Sequence, residues 1–226
     1  MKAVYLIVSR WKHTTPNYIT LARLALCILG LDILYSVSPW LMALCCVLGM
    51  ACDALDGWWA RTFHCASFSG KLLDPLVDKV IAWNAAVVIA AWAAGHHAPG
   101  SSLVLYACLP PMALIGVYDY MTMTLRGSDE KMSTNAVARQ KQAMLFISLQ
   151  LLLFAICFAD ASVRWPERSS LFAVQVLLEI TGTALMWVSL RLTALSAKIY
   201  LRQTKDPAAL RWSRVLWVRA ILSTIA

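Results

Sequence analysis

Four aspartates inside apolar sequence constrain this chain more than any other feature. Asp53 and Asp56 are three residues apart, and Asp74 and Asp78 are four apart, in a chain that is 60% hydrophobic with a mean hydropathy of +0.65. An ionised carboxylate in apolar surroundings costs several kcal/mol unless it is paired, hydrated or bound to a metal. The cations near them in the sequence are few, namely Arg61, Lys71 and Lys79. We therefore expect the four acids to form a functional site rather than a set of salt bridges.

The spacing of the aspartates predicts how they are arranged. Residues three or four apart on a helix share one face, with Cβ atoms roughly 5–6 Å apart. Two such faces, opposed across an antiparallel helix pair, would form a cluster of oxygen ligands. Such ligands suit hard divalent cations, Mg²⁺ or Mn²⁺, and do not suit zinc.

Composition and hydropathy predict one all-α domain in a membrane. The chain has 226 residues, of which 14% are charged, which is typical of a polytopic membrane protein. We expect a six-transmembrane-helix bundle within residues 16–200, flanked by a basic amphipathic interfacial segment at 1–15 and a basic tail at 201–226 that is a candidate second interfacial helix. The Pro110-Pro111 pair is expected to kink the fourth span. The expected spans are residues 17–35, 40–64, 69–94, 101–125, 143–159 and 171–199.

Loop charges predict the orientation of the bundle. Lys and Arg concentrate in the N-terminal segment, between residues 61 and 71, between residues 126 and 141, and in the tail. The positive-inside rule then places both termini in the cytoplasm, with the aspartates at the cytoplasmic side of the inner membrane. The formal net charge of +8 suits anionic lipid headgroups, and we do not expect a nucleic-acid partner.

The aspartates belong to a longer pattern, D-x2-D-G-x2-A-R-x8-G-x3-D-x3-D, which begins at Asp53 and ends at Asp78. This pattern matches the signature of the CDP-alcohol phosphatidyltransferases at every fixed position, and the chain resembles that family. The resemblance implies transfer of a phosphatidyl or related group from a CDP-linked donor to an alcohol, with release of CMP. It also implies two Mg²⁺ or Mn²⁺ ions per site, held by Asp53, Asp56, Asp74 and Asp78, with Asp78 as the general base. The nucleotide-binding residues that it implies are Asn17, Thr20, Asp53, Gly57, Ala60, Arg61 and Gly70.

Two further stretches resemble the phosphatidylglycerophosphate synthases within that family. The stretch Pro16-Asn17-x2-Thr20-x2-Arg23 is similar to their opening pattern, P-N-x2-T-x2-R. By the same resemblance a basic group would bind the phosphate of the acceptor, although a positively charged cytoplasmic loop would have a similar composition. That group, called the acceptor group below, is Arg126, Arg139 and Lys141. The chain departs from the subfamily where Tyr118-Asp119 replaces an Arg-Glu pair, and where residues 138–142 replace a G-K-x-K-T-like element.

These observations favour transfer from CDP-diacylglycerol to glycerol 3-phosphate, giving phosphatidylglycerophosphate and CMP. Three alternatives within the family are phosphatidylglycerol as acceptor, which gives cardiolipin and is mildly favoured by Asp119, inositol phosphate, and serine. An alternative of another class is an ion-coupled transporter whose acids bind protons or ions. The complete motif and the absence of visible inverted halves in the sequence count against a transporter. The resemblance also suggests a homodimer.

Overall fold

The computed structural model describes residues 18–63, 68–95, 106–128 and 136–203. Within these ranges the chain is helical and has no strand, which agrees with the all-α prediction. The interfacial segment expected at residues 1–15, and the tail from residue 204 onward, lie outside the described residues. The helices are α1 (18–32), α2 (Leu34–Val37), α3 (Pro39–Thr62), α4 (Phe68–Gly95), α5 (Leu109–Ser128), α6 (Ala136–Arg164) and α7 (Ser169–Gln203).

Four of these helices are long and apolar enough to cross a membrane. They match the second, third, fifth and sixth expected spans. The described part of helix α1, residues 18–32, is shorter than the roughly 20 residues that a span needs. Helix α5, which contains polar residues such as Asp119 and Thr122, is not among the four. Six spans therefore remain a prediction, of which the structure supports four. The four stretches are Pro39–Trp59, Leu76–Gly95, Ala136–Arg164 and Ser169–Tyr200.

Two helix starts bear on the sequence prediction. Pro110 and Pro111 were expected to kink the fourth span, and they lie in the first turn of α5, directly after a turn at residues 107 and 108 that follows the helical residue 106. In a first turn the missing N–H of proline needs no partner, so a helix can start there. Helix α6 begins at Ala136, seven residues before the expected start at residue 143, because the intervening Ala, Arg, Gln and Lys residues are strong helix formers.

The chain divides into two compact units, residues 1–92 with 153–175, and residues 93–152 with 176–226. In the first unit, α1 and α3 approach closely through two glycines. A Cβ at Gly30 would lie 2.5 Å from Cys45 Cβ, and a Cβ at Gly49 would collide with Cys27 Sγ. Cys27 of α1 lies beside Gly49 of α3, whereas Gly30, further along α1, lies beside Cys45, earlier in α3. The two helices are therefore antiparallel. Small residues at such crossings let the backbones of membrane helices approach closely.

Substituting Gly30 tests this crossing. We expect Gly30→Ala to lower the unfolding temperature and to cost about 1–3 kcal/mol, the usual penalty of overpacking, because Cys45 Cβ is fixed to its backbone and the helices must separate. Gly95→Ala is the matched control, since nothing lies within 4 Å of a Cβ built there. Thermal unfolding in detergent measures both variants, and equal stability for them would contradict the close approach.

The C-terminal part of α6 packs against the start of α3 in the same unit. Cys157 Sγ donates a hydrogen bond to the carbonyl oxygen of Pro39 at 3.2 Å. The rings of Trp40 and Phe158 meet edge to face, with centroids 5.4 Å apart. These contacts hold the N-terminal end of α3, whose other end carries the first aspartate pair.

In the second unit, α6 and α7 are antiparallel and are joined by side-chain hydroxyls. Ser148 Oγ donates to the carbonyl oxygen of Gly182 at 2.7 Å, and Ser189 Oγ donates to that of Lys141 at 3.1 Å. A Cβ at Gly182 would come within 2.9 Å of Leu152 Cγ, so this glycine keeps the two helices close. Buried hydroxyls that bond across helices are a common feature of membrane bundles.

Candidate active site

Three of the four motif aspartates come together around α1. Asp53 lies on α3, and Asp74 and Asp78 lie on α4, one helical turn apart. These three residues are called the acid cluster below. Among the described residues, Thr20 and Arg23 of α1 contact these acids. Helix α1 therefore links the two halves of the motif.

Arg23 bridges two members of the acid cluster. Its Nη1 donates to Asp53 Oδ1, and its Nη2 donates to Asp78 Oδ1 at 2.8 Å. The Arg23 side chain is only 2% exposed, whereas those of Asp53 and Asp78 are 51% and 17% exposed. The planar guanidinium has several donors in a fixed fork, which suits it to hold two carboxylates at once. Asp53 thus faces the more open side of the cluster and Asp78 the more enclosed side.

Thr20 positions the remaining acid. The Thr20 side chain is buried, and its Oγ1 donates a hydrogen bond to Asp74 Oδ1 at 3.2 Å. Thr20 contacts Asp74, and Arg23, one turn further along α1, contacts Asp78, one turn further along α4. The two helices therefore run parallel.

The charge and chemistry of the cluster fit a divalent cation. The formal charge of the three carboxylates together with the Arg23 guanidinium is negative, which attracts cations. All the carboxylate donors are oxygen atoms, as Mg²⁺ and Mn²⁺ prefer. Among the described side chains, no group of three or more His, Cys, Asp or Glu residues is arranged as a metal site. Asp56 lies on α3, but its side chain is outside the described set. The four-ligand metal site therefore remains a prediction.

The structure describes some of the expected nucleotide-binding residues and not others. Thr20 and Asp53 lie at the cluster, and Gly57 lies one turn beyond Asp53 on α3 with intermediate exposure. Asn17 lies outside the described residues. The helices α3 and α4 contain Ala60, Arg61 and Gly70, whose immediate surroundings are not described. The structure thus brings Thr20 and Asp53 to the acids and leaves the other nucleotide contacts as expectations.

The acceptor group differs in surroundings from one member to the next. Arg139, near the start of α6, is exposed. Lys141 is buried, and its Nζ forms an ion pair with Asp119 Oδ1 of α5, within the second unit. The side chain of Arg126 is outside the described set. Lys141 is therefore paired with an acid of the chain itself, which the sequence prediction did not include.

Two residues at these sites were missed as site residues by sequence reasoning. Arg23 was noted only as part of the opening pattern, and Asp119 only as a departure from the subfamily. One signal could have found both: a charged residue inside an apolar span needs a partner of opposite charge. That signal does not identify the partner, because any of several acids or bases on other helices would serve.

Comparison with known proteins agrees with the motif. A family model described as CDP-alcohol phosphatidyltransferase matches residues 13–195 of the chain. No solved structure matches the chain.

Known proteins similar to the chain share one name, CDP-diacylglycerol–glycerol-3-phosphate 3-phosphatidyltransferase. That of Mycoplasma pneumoniae is 28% identical over 138 residues, which are 52% of this chain and 59% of that protein. That of Bacillus subtilis is 25% identical over 171 residues, covering 66% of this chain and 84% of the relative. That of Aquifex aeolicus is 46% identical over 68 residues, which are 29% of this chain and 36% of that protein. The chain thus spans less than two thirds of the length of the Mycoplasma and Aquifex relatives.

Proposed function

Because the chain belongs to the CDP-alcohol phosphatidyltransferase family, we propose that it transfers a phosphatidyl group from CDP-diacylglycerol to glycerol 3-phosphate. The products are phosphatidylglycerophosphate and CMP. The observation that carries the proposal is the bridge from Arg23 to Asp53 and Asp78, which joins the two halves of the motif. The name shared by the similar bacterial proteins supports glycerol 3-phosphate as the acceptor.

The proposed reaction is a displacement at phosphorus. The acceptor hydroxyl oxygen forms a bond to the phosphatidyl phosphorus, the bond from that phosphorus to the CMP oxygen breaks, and CMP leaves with the electron pair. Asp78 accepts the proton of the hydroxyl as general base. Its enclosed position and its hydrogen bond from Arg23 fix the carboxylate in one orientation, which suits a group that removes a proton from a bound alcohol.

The remaining acids have a separate role in the proposal. Asp53, Asp56 and Asp74, together with Asp78, would hold Mg²⁺ or Mn²⁺, which would neutralise the diphosphate of the donor and the charge on the leaving oxygen. Thr20 orients Asp74 through its hydrogen bond. Arg23 bridges Asp53 and Asp78 and places one positive charge between the two carboxylates.

A second candidate acceptor is phosphatidylglycerol, which would give cardiolipin. The ion pair of Lys141 with Asp119 favours it, because the pair removes one positive charge from the acceptor group. Phosphatidylglycerol carries a phosphodiester with one negative charge, whereas the phosphomonoester of glycerol 3-phosphate carries close to two at neutral pH. The less charged acceptor therefore needs fewer cations.

Incubation with labelled substrates tests the activity. Purified protein with CDP-diacylglycerol is expected to release CMP in the presence of Mg²⁺ or Mn²⁺, and to do so fastest with glycerol 3-phosphate. The panel of acceptors also contains phosphatidylglycerol, inositol phosphate and serine, and mass analysis identifies each lipid product. Absence of metal-dependent CMP release with every acceptor would instead favour an ion-coupled transporter.

We further propose a multi-pass protein of the inner membrane with the acid cluster facing the cytoplasm. The basis is the distribution of Lys and Arg between the loops. In a variant with the seven native cysteines replaced, single cysteines at positions 64 and 97 are expected to react with impermeant reagents from opposite sides of the membrane. Labelling of both positions from one side would contradict six spans in this orientation.

The assembly is proposed to be a homodimer in the lipid bilayer, on the basis of family resemblance. Crosslinking in native membranes measures it. A dimer band is expected, and crosslinking that yields monomer alone would count against the proposal.

A further inference from the structure

We propose that exposed aromatic side chains at the two ends of the first unit bind the two interfaces of a lipid bilayer and hold Asp53 about 7–8 Å inside the boundary between headgroups and hydrocarbon. These residues are Trp58 and Tyr18 at one end and Trp40 at the other, and they are called the aromatic anchors below. The inference rests on the proposed location in a membrane. It adds the depth at which the reaction would take place and the thickness of bilayer that the unit fits.

The first support is the spacing of the two tryptophans on α3. Trp40 and Trp58 are both exposed. Between them α3 makes about five full turns and rises about 27 Å, so the two rings lie on the same side of the helix. The hydrocarbon core of a typical bilayer is roughly 30 Å thick. Tryptophan is enriched where hydrocarbon meets headgroups, because its ring is apolar and its N–H is polar. The two rings are thus placed to lie at opposite interfaces.

The surface of α3 between the two rings fits lipid chains. Large apolar side chains are exposed along it, and such a surface is unfavourable in water and favourable in hydrocarbon. They are Leu41, Leu44, Val47, Leu48, Met50 and Leu55.

The second support comes from another helix at the same end. Arg23 of α1 pairs with Asp53 of α3, and the two helices are antiparallel. Tyr18 lies five residues before Arg23 and is exposed. Trp58 lies five residues after Asp53. Both rings therefore lie on the same side of the ion pair, each about 7–8 Å from it along its helix. Two aromatic residues on different helices thus mark one level.

The third support is the change from apolar to charged residues at the opposite end. The ring of Phe158 on α6 meets that of Trp40 edge to face. The apolar sequence of α6 ends at the next residue, and Asp160 and Arg164 beyond it form an exposed ion pair at 3.0 Å. The charged part of α6 therefore begins at the level of Trp40, as expected where hydrocarbon gives way to headgroups and water.

The level of Asp53 has a consequence for the lipid substrate. Its side chain is half exposed, although the aromatic anchors place it on the hydrocarbon side of the interface. An ionised carboxylate at that level needs water, a cation or a polar headgroup beside it. The phosphate of a membrane lipid therefore has to move inward by about 7–8 Å to meet the acid cluster. A bilayer that is too thick or too thin would change this distance.

Bilayers of graded thickness test the inference. The purified protein is reconstituted in phosphatidylcholine vesicles whose monounsaturated acyl chains increase in length, and the unfolding temperature and the rate of CMP release are measured in each. Both are expected to be highest where the hydrocarbon is closest to about 27 Å thick, because mismatch is relieved only by tilting the helices or distorting the bilayer. The unfolding temperature measures this fit without any need for activity.

Two variants move one anchor along α3 in opposite directions. Trp58→Leu/Thr62→Trp moves the ring outward and should shift the optimum toward thicker bilayers by up to about 6 Å. Trp58→Leu/Leu55→Trp moves the ring inward and should shift it toward thinner bilayers by up to about 4–5 Å. Both new positions are exposed on α3. A loss of packing alone would not shift the optimum in opposite directions.

Trp83→Leu is the control for loss of an exposed tryptophan. Trp83 is exposed on α4 and lies five residues beyond Asp78. Because α4 is parallel to α1, this position is about 7–8 Å further from the level of Tyr18 than Asp78 is. The ring of Trp83 is therefore away from both interfaces, and its removal should leave the optimal thickness unchanged.

Two results would overturn the inference. One is a wild-type protein whose unfolding temperature is the same in every bilayer. The other is a pair of folded anchor variants whose optima coincide with that of wild type. If those variants do not fold, Trp58→Leu decides the matter, because it should flatten the thickness profile and an unchanged profile would refute the anchoring. Failure to release CMP with any alcohol would overturn the proposed activity, whereas the unfolding profile would still decide the anchoring by itself.

Discussion

Asp78→Asn is expected to lower kcat by roughly 10²–10⁴-fold, the usual contribution of a general base. Asn keeps the shape of the side chain and a carbonyl oxygen, so it still accepts the hydrogen bond that Arg23 Nη2 donates at 2.8 Å, but it does not accept a proton from the acceptor. Binding of CDP-diacylglycerol should change little, because the donor does not depend on that proton transfer. Single-turnover CMP release and a donor binding isotherm measure the two quantities separately.

Asp56→Asn is the variant to compare with Asp78→Asn, because the same substitution at an expected metal ligand should lower the rate by weakening metal binding. Raising the concentration of Mg²⁺ or Mn²⁺ should then recover part of the lost rate by mass action. The same titration should leave Asp78→Asn slow. If excess cation rescues both variants equally, Asp78 is a metal ligand before it is a base, and the role implied by the family resemblance is wrong for this chain.

Arg23→Met is expected to have the second largest effect, on both stability and activity. It removes the cation that bridges Asp53 and Asp78, and breaking a buried ion pair by deleting one partner costs about 3–5 kcal/mol. Most of that cost should come from Asp78, which is 17% exposed, because Asp53 is half exposed and solvent screens its charge. The unfolding temperature in detergent should therefore fall clearly, and CMP release should become undetectable or nearly so.

Two further variants at Arg23 and one control at Arg164 separate charge from structure. Arg23→Met/Asp78→Asn should recover much of the lost stability, since it leaves no uncompensated acid at position 78, while remaining inactive. Arg23→Lys keeps the charge but lacks the rigid fork that reaches two carboxylates, so it should fall between wild type and Arg23→Met. Arg164→Met, which breaks an exposed pair with Asp160, should cost less than about 1 kcal/mol. Equal stability of Arg23→Met and Arg164→Met would refute the bridging role.

Several features could be predicted from the sequence because they are local. Helical spacing alone places Asp74 and Asp78 on one face of α4, and four of the six expected spans correspond to helices of sufficient length and apolarity. Local reasoning could not say whether Pro110 and Pro111, which lie in the first turn of α5, bend a helix or start one, because a proline pair is compatible with both. It placed the start of α6 too late, since a polar stretch was interpreted as a loop although its residues favour helix.

Sequence by itself determined the family signature from Asp53 to Asp78, whose oxygen donors at helical intervals are the residues predicted to carry the chemistry. Tertiary structure alone decided which cation meets which acid. Arg23 lies among the acids because Gly30 and Gly49 let α1 approach α3 closely, and Lys141 meets Asp119 because α5 and α6 are neighbours in the second unit. The physical reason is that a charge in an apolar helix must find a partner, but the identity of that partner depends on helix packing, which no local pattern encodes.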